Sequence, residues 1–156
     1  MKKSKKANKE TNRQTIKGQG KKVYLSQEST FVNFYAHARP CITCIYLVCK
    51  SVGVADRNRI PDARMTASSF YNTYYYPYYG RLHENRRRGA WCAKTSSVGT
   101  EYLQVDLGTV LDVCALATQG NQKEGQRTTT YKVHMSTDGI NWNTYKEQSI
   151  EKVWKE

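Results

Sequence analysis

The chain has 156 residues, room for one ordinary domain, and a formal net charge of +12. That charge would suggest nucleic acid or a membrane surface, but it is unevenly spread. Residues 1–50 carry 11 Lys+Arg against two acids, while residues 51–156 carry 14 against 11, so the sequence reads as a basic tail on a nearly balanced domain rather than as a basic protein.

The tail, residues 1–40, reads as disorder. MKKSKKANKETNRQTIKGQGKK holds almost no apolar side chains, so ordering it costs backbone entropy with little buried in return. Such a tail is either a solvated arm or a polybasic segment for phosphate-rich partners. No secretory signal is legible at Met1, because no apolar stretch follows the lysines within reach. The next segment, residues 41–48, is apolar and of unclear role. With Cys49 it makes nine residues, too few to span a bilayer, which fits an h-region behind a wrongly assigned start or an ordinary buried strand.

From residue 49 to 156 the periodicity is that of strands. Tyr102–Leu107 alternates strictly, sending Leu103, Val105 and Leu107 to one face and Gln104 and Asp106 to the other. Leu107-Gly108-Thr109 reads as a turn into Val110–Thr118, a more continuous apolar run. Thr128–Ser136 is rich in Thr, Tyr and Val, which pack well on a pleated surface. Asp138-Gly139 then favours a tight hairpin, and the returning strand carries Trp142 and Tyr145. No helical period of useful length and no internal repeat appear.

Phe70, Tyr71, Tyr74, Tyr75, Tyr76, Tyr78 and Tyr79 crowd around Pro77. Alternation cannot bury all of them on one face, so several should stand exposed in a loop. Exposed aromatic rings suit sugar stacking or a membrane interface, where an apolar body and a polar tip both find partners. The bland reading is that two or three are core and the others cap one end of the fold. Nearby Arg86-Arg87-Arg88 can pair with phosphate, sulfate or carboxylate. His37, His83 and His134 are scattered, and no HExxH, GxSxG or glycine-rich phosphate loop occurs, so no catalysis and no cofactor are expected. Cys41-x-x-Cys44 has zinc or redox spacing, but no second pair completes it and no metal is expected. Cys92 and Cys114 are either two buried thiols or a bridge contributing about 3 kcal/mol.

Taken in order, IPDARMTASSFYNTYYYPYYGRL, Gly89-Ala90-Trp91-Cys92, Glu101–Gly108, Ala117–Gly120, Tyr131–Val133, Ser136–Gly139 and Trp142 through Lys152-Val153 resemble the coagulation factor 5/8 type C, or discoidin, domain family. The resemblance covers residues 49–156. It implies an all-β fold, a β-sandwich or distorted jelly-roll barrel, serving as a non-catalytic extracellular binding and adhesion module. It places Cys49 as the family's opening cysteine, left unpaired because the final strands and their cysteine are expected to be missing after Glu156. It also implies three ligand-binding loops at one end of the barrel. The tyrosine segment with Arg81 is the first, His83–Arg88 the second, and Asn121–Arg127, with Lys123, the third. Family members that insert into phosphatidylserine membranes place large apolar residues at these tips, where this chain has tyrosine and arginine. Collagen-binding relatives tend to carry Trp where Tyr71 stands and Arg where Asn121 stands. The expected partners are therefore glycans of the cell surface or matrix and, secondarily, anionic phospholipid headgroups. The alternative is a nucleic-acid or anionic-polymer binder acting through the tail and Arg86–Arg88.

Overall fold

The computed structural model describes residues 12–27, 31–32, 34–39, 50–95, 100–121 and 123–155. The expectations for the polybasic start, for residues 41–48 and for Cys49 fall outside them. The described residues form strands joined by turns, with two short 3₁₀ segments at Asp62–Arg64 and Pro77–Gly80 and no α-helix.

In chain order the strands are β1 Asn12–Gln27, β2 Phe31–Val32, β3 Phe34–Arg39, β4 Lys50–Ser51, β5 Met65–Ala67 and β6 Trp91–Cys92. Then follow β7 Glu101–Thr118, β8 Thr130–Ser136, β9 Asn143–Thr144, β10 Lys146–Glu147, β11 Ile150–Glu151 and β12 Trp154–Lys155. The main sheet runs β12-β8-β1-β7-β3-β4, with β5 added to β7 and β9 to β8. All its pairings are antiparallel, as a discoidin β-sandwich requires.

β1 departs most from the sequence reading. Residues 12–27 and 34–39, expected as part of a disordered tail, are strands. Over residues 22–27 β1 lies between β7 and β8, so the backbone donors and acceptors of that half are satisfied along both edges. Its Val23 stands opposite Val105 on β7 and Met135 on β8, and Leu25 stands opposite Leu103 and Val133. These two apolar rows are fully buried or nearly so. Each such side chain contributes roughly 1.5–3 kcal/mol relative to exposure, which outweighs the poor propensity of a lysine- and glycine-rich segment.

β7 is the longest strand, and its first half behaves as the alternation predicts. Leu103, Val105 and Leu107 are buried while Gln104 and Asp106 are only partly covered. The turn expected at Leu107-Gly108-Thr109 is a bulge instead. On β1 the register passes from Gly20, opposite Leu111, to Lys22, opposite Asp106, so residues 107–110 of β7 loop out against a single residue of β1. Gly108 at φ 82° supports the bend, and Val110, expected in a buried run, is exposed at its crest. The hairpin at Asp138-Gly139 forms as expected, with Gly139 at φ 80° and β9 returning along β8. The core is completed by Val54, Ile60, Met65, Trp91, Tyr131 and Trp154.

Candidate functional site: an aromatic and cationic face built by three loops

The first loop leaves β5 and is fastened at its base to β7. The Ser69 hydroxyl donates to Glu101 Oε2 at 2.7 Å, and the Ser68 and Thr95 hydroxyls bond the same carboxylate. Burial works against that charge, but the three hydroxyls hold the Glu101 carboxyl below its usual range. Trp91 Nε1 donates to Ser69 O at 2.8 Å, and Tyr71 N donates to Cys92 O at 2.8 Å, tying the loop to β6. Asn72 then turns the chain, its Oδ1 accepting from Tyr74 N at 2.9 Å and its carbonyl from Tyr75 N at 3.0 Å. Pro77 opens the following 3₁₀ turn.

This geometry divides the tyrosine cluster. Phe70, Tyr71 and Tyr74 are 40%, 61% and 48% exposed, whereas Tyr75 and Tyr79 are buried. Tyr76 and Tyr78 are half-buried, with Phe70 edge-on to Tyr76 at 4.7 Å and Tyr71 edge-on to Tyr75 at 6.0 Å between ring centroids. Tyr75 therefore leaves the set of exposed candidates and serves as the floor under Tyr71. Arg81 leaves it too. It is 1% exposed, and its guanidinium donates to Val54 O, to Ile60 O at 2.7 Å and to Asp62 Oδ1 at 2.9 Å. It pins the 54–62 segment beneath the face rather than reaching for a ligand.

The second loop, residues 83–88, stands beside the first. His83 N donates to the Gln119 side chain at 3.0 Å, which links the loop to the end of β7. His83 and Arg87 both adopt left-handed backbone, at φ 59° and 52°, and Gly89 closes the loop at φ 70°. The three arginines are not equivalent. Arg86 is bound to Glu84, its Nε lying 3.0 Å from both carboxylate oxygens, and its guanidinium carbon sits 5.2 Å from the Tyr79 ring centroid. Burial disfavours the Glu84 charge, but the bonds from Arg86 outweigh it and lower that carboxyl's pKa. Arg88 pairs with Glu124 at 2.6 Å. Arg87 is exposed and makes no ion pair among the described residues. Its guanidinium carbon lies 5.5 Å from the centroid of the exposed Tyr74 ring.

The third loop follows β7. Asn121, expected as a ligand contact, is buried and forms an isolated bridge with Gln126, donating its N–H to Gln126 O at 2.6 Å. Lys123 is exposed and reaches back to the second loop, donating to Arg87 O at 3.0 Å and to Asn85 O. Arg127 is exposed. The Arg88–Glu124 and Lys123–Arg87 contacts join the second and third loops, and the Arg87–Tyr74 contact joins the second to the first. Glu84, Glu124 and Gln119 organise this face without having been picked out from the sequence. An acid two positions before Arg86 was a legible signal for the first of them, while the other two act across the fold.

Cys92 is a buried free thiol that burial pushes up to about 11, so the Cys92–Cys114 bridge is not formed. β6 points Cys92 at the small cluster with Tyr75 and Ala90, where it packs as an apolar group. Among the described residues no group of three or more His, Cys, Asp or Glu is placed to hold a metal ion.

The F5/8 type C domain model matches residues 64–156. Rat lactadherin is 42% identical over 106 residues, covering 63% of this chain and 25% of its own length. Bovine coagulation factor V is 30% identical over 108 residues, covering 64% of this chain and 5% of its own length. The chain thus spans a quarter or less of these relatives. No solved structure matches it. The matched region contains the three loops and the strands that carry them, and the chain belongs to the F5/8 type C domain family.

Proposed function

We propose that this protein is a non-catalytic, extracellular binding module whose three-loop face engages anionic phospholipid surfaces. The observation that carries the reading is Arg87, an exposed guanidinium with no carboxylate partner among the described residues, resting on the half-exposed ring of Tyr74. Tyr71 and Phe70 beside it offer apolar area with one polar tip, which suits the headgroup region better than the hydrocarbon interior. A neutral-glycan platform is supported less. The Tyr74 face is occupied by Arg87, and the Phe70 and Tyr71 rings stand edge-on to neighbours, which leaves Tyr71 as the ring best placed to stack on a sugar. A polyanion reading through Arg86–Arg88 is weakened by the pairing of Arg86 and Arg88 with acids, and the tail half of that reading by the presence of residues 12–27 in the sheet.

The test is vesicle co-sedimentation at several salt concentrations. Vesicles of phosphatidylserine and phosphatidylcholine should bind the protein and release it as salt rises, while phosphatidylcholine alone should not bind. Arg87→Ala should weaken binding by about 1 kcal/mol, a several-fold loss, with unchanged thermal stability. Equal binding to neutral vesicles, or full binding by Arg87→Ala, overturns the reading. Salt-insensitive capture of a neutral glycan, lost in Tyr71→Ala, would replace it with the glycan reading.

A further inference from the structure

Two of the three arginines of the second loop are paired with acids, and the two pairs differ in kind. Glu84, which holds Arg86, is nearly enclosed, its side chain 7% exposed. Its carboxylate also accepts from Asn85 N at 2.9 Å and from Arg86 N at 2.8 Å. Displacing Glu84 would strip two backbone donors of their acceptor, so that pair belongs to the frame of the loop. Glu124 has no such ties. Among the described residues its carboxylate bonds Arg88 alone, at 2.6 Å, and the Arg88 and Glu124 side chains are 55% and 26% exposed. The backbone of both loops is fastened without this pair. Gly89 N donates to Arg86 O at 2.8 Å and Lys123 Nζ to Arg87 O at 3.0 Å. The third loop is closed by the Asn121–Gln126 bridge, with Asn121 Oδ1 accepting from Lys123 N at 3.1 Å. Parting Arg88 from Glu124 therefore releases a side chain and not a loop.

We propose that Arg88 is a second cation for an anionic lipid surface, masked by Glu124, and that Glu124 sets how densely charged a surface must be before the protein engages it fully. This rests on the phospholipid reading above. Arg87 needs no exchange, because it has no carboxylate partner among the described residues and already rests on Tyr74. Arg88, at the next position, must give up one carboxylate to take a phosphate. An exposed ion pair is worth about as much as, or less than, a basic side chain gains beside an anionic surface. With the two so closely matched, the number of competing phosphates decides the exchange by mass action. Sparse headgroups leave Glu124 in place, and a dense array displaces it. The displaced carboxylate then faces the same anionic surface, which raises the threshold further. Arg87 thus supplies binding at any anionic density, and Arg88 adds to it only at high density.

Co-sedimentation of the full chain with phosphatidylserine–phosphatidylcholine vesicles, across a range of phosphatidylserine fractions, tests this. Wild-type binding should rise steeply with the fraction. Glu124→Gln should bind several-fold more tightly at low fraction and lose the steepness. Arg88→Ala should match the wild type at low fraction and fall behind it at high fraction. Glu124→Gln combined with Arg88→Ala should fall back to the level of Arg88→Ala. Glu151→Gln, which takes the same charge from the Lys132 pair outside the loops, should behave as wild type. Where the wild type binds these vesicles, the proposal is overturned if Glu124→Gln follows the wild-type curve. It is equally overturned if the gain survives Arg88→Ala or is shared by Glu151→Gln, which would assign it to net charge. A lipid-free arm separates the masking from the phospholipid reading. On titration with inorganic phosphate, the Arg88 Nε–H NMR signal, assigned by its loss in Arg88→Ala, should move at several-fold lower phosphate in Glu124→Gln than in the wild type. If the wild type binds no anionic vesicle, the phospholipid reading fails by itself and this titration decides the masking: a lower midpoint in Glu124→Gln upholds it, and equal midpoints overturn it.

Discussion

Arg81 and Arg87 carry the same guanidinium on one short stretch of chain, and their surroundings give them opposite roles. Arg81 is walled in by two carbonyls and Asp62, while Arg87 is held out by a left-handed backbone and a tyrosine ring. Nothing in residue type separates them; the distinction comes from partners brought together by the fold. His134 offers the sharpest test at this scale. Its ring stacks on Tyr24 with centroids 4.2 Å apart, Nε2 lies 2.8 Å from the Ser26 hydroxyl and Nδ1 lies 3.0 Å from that of Thr144. It therefore joins β1, β8 and β9. Burial lowers its basicity below the usual 6.5; Glu151 opposes that shift and Lys132 adds to it. The unfolded chain then takes up the proton first, so the associated stability is complete above pH 6.5 and declines as pH falls through 6.5 toward the folded value. Melting temperature should be level above neutrality and slope downward in that window, and His134→Gln should remove the slope. An unchanged slope in the variant would assign the effect to another group.

At the scale of elements, strands with a strong apolar period were legible and those governed by pairing were not. The alternation of Leu103, Val105 and Leu107 announces the first half of β7, and Asp138-Gly139 announces the β8–β9 hairpin. Among the β1 residues whose burial is described, Val23 and Leu25 are the buried apolar side chains, set among lysines, glycines and glutamines, too short a signal to distinguish from a solvated arm. What makes it a strand is the pair of waiting edges on β7 and β8, which no local window contains. The binding loops were legible as a location from the tyrosine and arginine content. The division into exposed Phe70, Tyr71 and Tyr74 against buried Tyr75 and Tyr79 needed the turn geometry. Gly89 closes the second loop in left-handed backbone, and a β-carbon there would stand 2.8 Å from the Glu84 carbonyl oxygen. Gly89→Ala should therefore cost roughly 1–3 kcal/mol, through backbone strain and that collision. Anionic-vesicle binding should fall with it, because Arg87 loses its seat over Tyr74. Normal stability and normal binding in Gly89→Ala would show that the loop conformation is not needed.

At the scale of the molecule, the sandwich draws its central strand from the segment whose charge and composition had marked it as a tail. Its place predicts an observable pattern in amide exchange. The amides of residues 22–26 should be as protected as those of residues 103–105 on β7, because both segments are paired along both edges. Rapid exchange in 22–26 alongside slow exchange in β7 would mean that β1 is a loosely held addition rather than part of the core. The same placement bears on how the chain is made. The ribosome delivers β1 long before β7 and β8, so the nascent chain carries an unsatisfied strand through most of its synthesis. The sheet closes late, through contacts of large sequence separation, which slows folding and prolongs exposure of apolar surface. Productive biogenesis should thus depend on holdase chaperones that shield the growing chain until β8 has emerged.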